Sequence, residues 1–336
     1  MSNRIPRVII LTEGGNNIGF GHITRCDSLY QAFLEEGLSA DVIVNGDTAV
    51  EDFLSDKRFR LFDWLKEDEA LDRTLEDADI VIIDSYMATY GIYERLSMLV
   101  KVPVYMDDYK RLDYPKGIVL NGGINAEELN YPERTDITYL LGSRYIPLRK
   151  AFWDFSEKVI NENIDSLMIT FGGDDDRNIT PRVLSAIVER YPGVLKAVAI
   201  GKGFNNVQEI EKSADNKTNI IYYPDAAGMK DIMIGSDVAI SAAGQTLYEL
   251  ARFGVPTIAV AVADNQMNNI KGWQESGFIE YAGWWADGNL MDNVLKALAR
   301  LEDRDRRIKM AQTGRAMVDG KGAGRVVDFI LKMFQN

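Results

Sequence analysis

The 336-residue sequence holds one histidine, His22, and one cysteine, Cys26. His22 stands in a glycine-rich run, Glu13-Gly-Gly-Asn-Asn-Ile-Gly-Phe-Gly-His22-Ile-Thr-Arg25-Cys26, directly after a strand-like stretch at residues 7–11. Gly19 and Gly21 allow backbone angles and close approaches that a side chain would block. The histidine falls near the first turn of a helix, where the helix dipole disfavours an imidazolium. A neutral imidazole near pH 7 accepts a proton from water, so the chemistry on offer is general-base catalysis. The alternative is a histidine that caps the helix or packs beneath the loop. Arg25, one turn onward, suits an anion or is a solvated surface arginine. Cys26 falls on the apolar face and reads as core. The glycine spacing is not the dinucleotide fingerprint, and no phosphate-loop Lys-Ser/Thr follows.

Other strand ends carry further candidates. The run DIVIID at 79–84 leads into Ser85 and Tyr86. Tyr86 either bonds a sugar hydroxyl, supports His22, or packs. Asp107 and Asp108 close the next strand, and adjacent strand residues face opposite ways. One of the pair at most faces a ligand, with Asp108 taken as that one. In the second half, Ser241-Ala242-Ala243-Gly244-Gln245-Thr246 joins a strand to a helix. Small residues there let backbone N–H groups reach an anion, and the helix start adds partial positive charge. Diphosphate is the natural ligand. Glu249, one turn further, suits a ribose, or is a surface glutamate. Gly172 and Gly173 follow the run SLMITF and lead into three aspartates, which form a solvated loop or cap the next helix. Asn265 and Gln266 follow PTIAVAV and suit a sugar or a phosphate. One histidine and one cysteine argue against zinc, and the acidic run is a weak magnesium candidate. No metal and no cofactor are expected.

These residues need elements to hold them. Short Val/Ile/Leu runs recur at 7–11, 41–44, 79–84, 103–106 and 117–120, then at 166–171, 196–200, 219–223, 237–241 and 256–262. Helical spacing lies between many of them, as in Ile23, Cys26, Leu29 and Phe33. Such alternation predicts an α/β protein with parallel sheets. Two series predict two Rossmann-like domains, residues 1–150 and 151–336, joined within 148–162. The last helix belongs to one domain or bridges both. Ligands of parallel sheets bind beyond the strands' carboxyl ends, so a cleft between the domains is the expected site.

The bulk numbers narrow the partners. A net charge of −13 makes nucleic acid a poor one. No stretch of about 18 apolar residues suggests a membrane span. A lone cysteine fits a reducing compartment. A cytoplasmic protein, with a monomer favoured, is the expectation.

The pieces together resemble a known family. IGFGHITRC, the pair Asp107-Asp108, LLGSRYIPLR, FGGDDDRN and SAAGQTLYEL with ADNQ are similar to the nucleotide-sugar hydrolases of pseudaminic acid biosynthesis and to related spore-coat polysaccharide proteins. The resemblance runs over nearly the whole chain. It implies a GT-B fold related to the N-acetylglucosamine transferase of peptidoglycan synthesis. It implies metal-free hydrolysis of a UDP-linked diacetamido-trideoxyhexose to UDP and free sugar. The family's catalytic histidine falls on His22 and the tyrosine of its Asp-x-Tyr segment on Tyr86. Its nucleotide-side positions fall on Gly172, Gly173, the 241–246 turn, Glu249 and Asn265. Leu120-Asn-Gly-Gly-Ile-Asn125 stands where many pseudaminic-type members carry Asp-Gln-Asn, which is closer to the spore-coat branch. The expected reaction is attack of a His22-activated water on the anomeric carbon of a UDP-sugar. The rivals are a glycosyltransferase on the same fold and a non-catalytic nucleotide-sugar binder.

Overall fold

A computed structural model describes residues 4–15, 18–154 and 158–335. Asn16 and Asn17 of the glycine-rich loop, and residues 155–157 of the expected join, lie outside the described residues. The chain divides into two compact units, Met1–Lys150 with Lys321–Asn336, and Ala151–Gly320.

The first unit is built on seven parallel strands: β1 (Val8–Gly14), β2 (Ala40–Gly46), β3 (Phe59–Leu61), β4 (Ile80–Asp84), β5 (Val102–Met106), β6 (Gly117–Asn121) and β7 (Ile137–Leu141). Their order across the sheet is β3-β2-β1-β4-β5-β6-β7. Every residue of β1 and β4 is buried, which is why these runs are apolar without alternation. Ile9, Leu11, Val81 and Ile83 pack with Leu71, Tyr93 and Leu96 from the helices α3 (Asp68–Leu75) and α4 (Tyr90–Leu99); a short α2 (Glu51–Leu54) precedes them. Helix α1 (Gly21–Glu35) buries Ile23, Cys26, Leu29 and Phe33, the expected face. It stops where Gly37 turns left-handed at φ 73°. The N–H of Leu38 then reaches Phe33 O at 2.9 Å and that of Gly37 reaches Leu34 O at 3.0 Å, a Schellman closure that satisfies two end carbonyls.

The second unit has six parallel strands, β8 (Ser166–Thr170), β9 (Leu195–Ile200), β10 (Thr218–Tyr222), β11 (Val238–Ala242), β12 (Thr257–Ala261) and β13 (Ile279–Trp284), in the order β10-β9-β8-β11-β12-β13. Its core joins Leu167, Ile169, Ile240, Ile258 and Val260 to Val183 and Leu184 of α5 (Ile179–Arg190). The other helices are α6 (Val207–Ser213), α7 (Ala226–Gly235), α8 (Thr246–Phe253), α9 (Met267–Ser276), α10 (Leu290–Arg300) and α11 (Arg304–Met317). Both sheets reverse strand order once, between β1 and β4 and between β8 and β11. Those reversals are where open α/β sheets leave a crevice for ligands.

The second domain, expected to run over residues 151–336, ends at Gly320. The last helix, α12 (Gly322–Gln335), returns to the first unit and packs on α1 and β5. It buries Val326, Val327 and Ile330 there, and each such burial contributes roughly 1.5–3 kcal/mol. Among the described residues, no helix is long and apolar enough to cross a membrane.

Candidate active site

Register builds the first half of the site. In the β1–β4 pairing Asp84 lies beside Thr12, so Glu13 and Asp84 end neighbouring strands at the reversal point. The loop after β1 passes Gly19 at φ 85°, a left-handed angle that favours glycine. At Gly21 an added Cβ would meet no protein atom within 4 Å, so a side chain there would intrude on open space rather than clash. His22 follows as the second residue of α1 and is 8% exposed.

Its partners are acidic. His22 Nδ1 is 2.7 Å from Asp84 Oδ1, and Nε2 is 3.7 Å from Glu13 Oε1. Arg25, one turn along α1, grips Asp84 through Nε and Nη2, both at 2.5 Å. Its Nη1 donates to both oxygens of Asp108, at 2.7 and 2.8 Å. Burial alone would raise the Asp84 carboxyl, but Arg25 and then His22 reverse this and hold it well below the usual carboxylate range. Burial likewise works against the Arg25 guanidinium, and Asp108 and Asp84 outweigh it, so the pair stays ionised. An ionised carboxylate only accepts hydrogen bonds. The hydrogen between His22 and Asp84 therefore sits on Nδ1, so in the base form of the ring the lone pair is on Nε2. Arg25 Nη2 lies 3.2 Å from Nδ1, a contact between two donors rather than a bond.

Tyr86 completes the cluster. Its ring stands edge-on to the imidazole, with centroids 4.6 Å apart and planes at 86°. Its hydroxyl donates to Asp108. Burial, then Asp108, pushes the phenol well above its ordinary range, so it keeps its proton. Glu13 accepts from Ser85 Oγ at 2.5 Å and from Tyr86 N at 2.7 Å. The adjacent aspartates diverge as alternation requires. Asp107 turns inward to Tyr131 Oη and Arg111 N, and Asp108 joins the cluster.

In the second unit the candidates again collect at a strand reversal. Gly172 follows β8 at φ 98°, and the carbonyl of Gly173 accepts from Gly203 N at 2.9 Å. Of the three aspartates, Asp175 receives the N–H groups of Ile179 and Thr180, both at 2.9 Å, and so caps α5. Ser241, the next-to-last residue of β11, donates its hydroxyl to Ala242 O at 3.0 Å. Ser241, Ala242 and Ala243 are buried, while Gly244, Gln245 and Thr246 are half-buried. The turn thus presents its last three residues outward. Its shape is propped by Asn269, whose Nδ2 donates to Ala243 O at 2.8 Å and whose Oδ1 accepts from Tyr248 Oη at 2.5 Å. Glu249 is 4% exposed, so it is not a surface glutamate. Gln266 Oε1 accepts from Val262 N at 3.0 Å, and Asn265 is exposed.

Three readings change. Arg25, expected to hold a substrate anion, has its guanidinium committed to Asp84 and Asp108 and links them instead. Ser241 and Ala243, expected to touch substrate, turn inward. The neighbours of His22 are two carboxylates in addition to a helix start. Asp84, Glu13 and Ser85 were not assigned to the site from sequence. The available signal was an acidic residue closing a continuous apolar run, at Leu11-Thr12-Glu13 and again at Ile83-Asp84. Among the described residues, no group of three or more His, Cys, Asp or Glu side chains is arranged to hold a metal ion.

Two open parallel sheets, each reversing at a glycine-containing strand-to-helix loop, define a GT-B protein. The solved structure of Acinetobacter baumannii MurG agrees, with a TM-score of 0.68 at 16% identity over 97% of this chain and 100% of that one. Staphylococcus aureus MnaA, solved with UDP, superposes with a TM-score of 0.68 at 14% identity over 99% of this chain and 98% of that one.

More particularly, residues 183–313 match the glycosyltransferase family 28 C-terminal domain. The curated homologues include both branches that the motifs resemble. One is the Helicobacter pylori pseudaminic acid cytidylyltransferase and UDP-2,4-diacetamido-2,4,6-trideoxy-beta-L-altropyranose hydrolase, 24% identical over 82% of this chain and 48% of that protein. Another is the Bacillus subtilis spore coat polysaccharide biosynthesis protein SpsG, 20% identical over 97% of this chain and 98% of that one. The chain spans about half the length of the Helicobacter protein, and of an uncharacterised Methanocaldococcus jannaschii relative. Over residues 183–313 it is similar to family 28 glycosyltransferases, and over most of its length to proteins named for pseudaminic acid and spore coat polysaccharide biosynthesis.

Proposed function

We propose that this protein hydrolyses a UDP-linked diacetamido-trideoxyhexose to UDP and free sugar. The observation that carries the reading is the 2.7 Å contact between His22 Nδ1 and an Asp84 held ionised by Arg25. That arrangement leaves Nε2 free to take a proton. His22 is the general base for the attacking water, a role worth roughly 10²–10⁴-fold in rate. Tyr86, with its proton retained and its hydroxyl on Asp108, is a positioning neighbour for the imidazole. In the second unit the amides at Gly244, Gln245 and Thr246, at the start of α8, receive the diphosphate, and Glu249 receives the ribose. Gly172, Gly173, Asn265 and Gln266 are the remaining nucleotide-side groups. The UDP in the MnaA structure and the substrate in the Helicobacter protein's name support the choice of probe.

The test is UDP release from UDP-2,4-diacetamido-2,4,6-trideoxy-β-L-altropyranose with no acceptor present. The wild-type protein is expected to release UDP. His22→Asn is expected to lose at least about 10²-fold in turnover while its affinity for UDP stays unchanged. Near-normal turnover in that variant would remove the general-base role. The family 28 match favours a transferase as the second reading, in which His22 activates an acceptor hydroxyl. UDP release that requires an added acceptor would select it, and binding without any release would select a non-catalytic binder.

A further inference from the structure

Glu13 is a buried acid that the proposed mechanism leaves idle. It is the next-to-last residue of β1, at 1% exposure. Its two structural bonds, from Ser85 Oγ and Tyr86 N, use only part of what a carboxylate accepts, which is about four lone-pair directions. Oε1 also faces His22 Nε2 across 3.7 Å. With the ring hydrogen fixed on Nδ1 by Asp84, both facing atoms are acceptors in the base form of His22 that the proposed reaction uses. Two acceptors this close call for something that donates to both.

Resting on the hydrolase reading, we infer that Glu13 is a further catalytic residue, which with His22 holds the attacking water and selects water over an alcohol. Hydrogen bonds of about 2.8 Å to both atoms, with those atoms 3.7 Å apart, meet at the water oxygen at roughly 80°. That is close enough to the spread of the two O–H bonds for water to satisfy both. An alcohol has one O–H. Placed there, it would turn a lone pair toward either Glu13 or His22 in a buried setting, and a buried polar group facing no partner is costly. In the reaction one O–H bond of the water breaks and its proton passes to Nε2. The freed electron pair forms the bond to the anomeric carbon. The bond from that carbon to the phosphate oxygen breaks, and its pair leaves with UDP. The second proton stays on the oxygen, on the side of Glu13, and becomes the hydroxyl hydrogen of the free sugar.

The experiment measures nucleophile choice with the same UDP-sugar in water–methanol mixtures. Wild-type protein is expected to give less than about a tenth of the methyl glycoside that the methanol mole fraction would give without selection. Glu13→Gln keeps the shape and one acceptor oxygen but loses the carboxylate charge, and is expected to fall between the wild type and Glu13→Met in both kcat and selectivity. Glu13→Met matches the length without an acceptor. It is expected to lose about 10²-fold in kcat with KM within about twofold, and to lose the selectivity against methanol, while still binding UDP. Methyl glycoside formed in proportion to mole fraction by the wild type would overturn the inference. So would a folded Glu13→Met with unchanged kcat and unchanged selectivity. If Glu13→Met does not fold, Glu13→Gln decides, and wild-type kcat together with wild-type selectivity in that variant would overturn the inference. A wild type that releases no UDP in water fails earlier and separately, taking the hydrolase reading down and this inference with it.

Discussion

The imidazole of His22 has its Nδ1 hydrogen committed to Asp84, and Asp84 is kept ionised by a buried arginine. The arrangement predicts what Asp84→Asn does. An amide in that place can donate to Nδ1, which moves the ring hydrogen to Nε2 and abolishes the base. Turnover should fall by about 10²–10⁴-fold with UDP binding intact; a loss under tenfold would mean that the tautomer is not set there. The same group has a stability signature. Its folded pKa is depressed, so its contribution is fully present above the ordinary carboxylate value of about 4 and is lost as pH falls below it. Urea midpoints should drop more steeply for the wild type than for Asp84→Asn between about pH 5 and pH 3. Cys26 makes a separate prediction. It is 1% exposed, and burial with Asp84 alongside pushes its thiol well up. A thiol reagent should leave the native protein unlabelled and label one site per chain after unfolding.

At this scale the sequence displayed the proposed base and hid its partners. His22, Arg25, Tyr86 and Asp108 were legible because a lone histidine in a glycine-rich loop and polar residues at strand ends stand out locally. Glu13 and Asp84 were not, because their meeting with His22 depends on β1 lying beside β4. Periodicity reports strands and says nothing of their order.

Among the elements, the central strands were legible, and of the four edge strands only β10 was. β1, β4, β8, β11 and β12 are buried along nearly their whole length and give continuous apolar runs. The strands absent from the sequence reading are β3, β7 and β13, and each lies at the edge of its sheet. β3 and β7 are half-exposed and β13 is mostly buried, and in each a polar residue, Arg60, Thr138 or Glu280, interrupts the apolar signal. The acidic run after β8 offered two meanings, and the structure chooses capping for Asp175. Asp175→Ala should cost about 0.5–2 kcal/mol of stability through the lost start of α5, read as a lower urea midpoint. An unchanged midpoint would mean that the cap is not formed in solution.

For the molecule as a whole, two units share one architecture, an open parallel sheet whose strand order reverses once. The net charge of −13 does not oppose a diphosphate ligand, since backbone amides at a helix start act locally. Composition gave no means to place the last helix, because an amphipathic stripe names no partner. Its packing on α1, the helix that carries His22 and Arg25, gives it a testable consequence. A chain ending at Gly320 should melt lower than the full protein and lose turnover; an unchanged Tm would contradict the stabilising part assigned to α12.

In the proposed reaction an activated water attacks the sugar's anomeric carbon rather than phosphorus. Turnover of the UDP-sugar in water enriched in oxygen-18 tests it directly, with the released UDP analysed by mass spectrometry. Attack at carbon predicts UDP carrying no label, the new oxygen having gone to the sugar. Label in the terminal phosphate of UDP would contradict it.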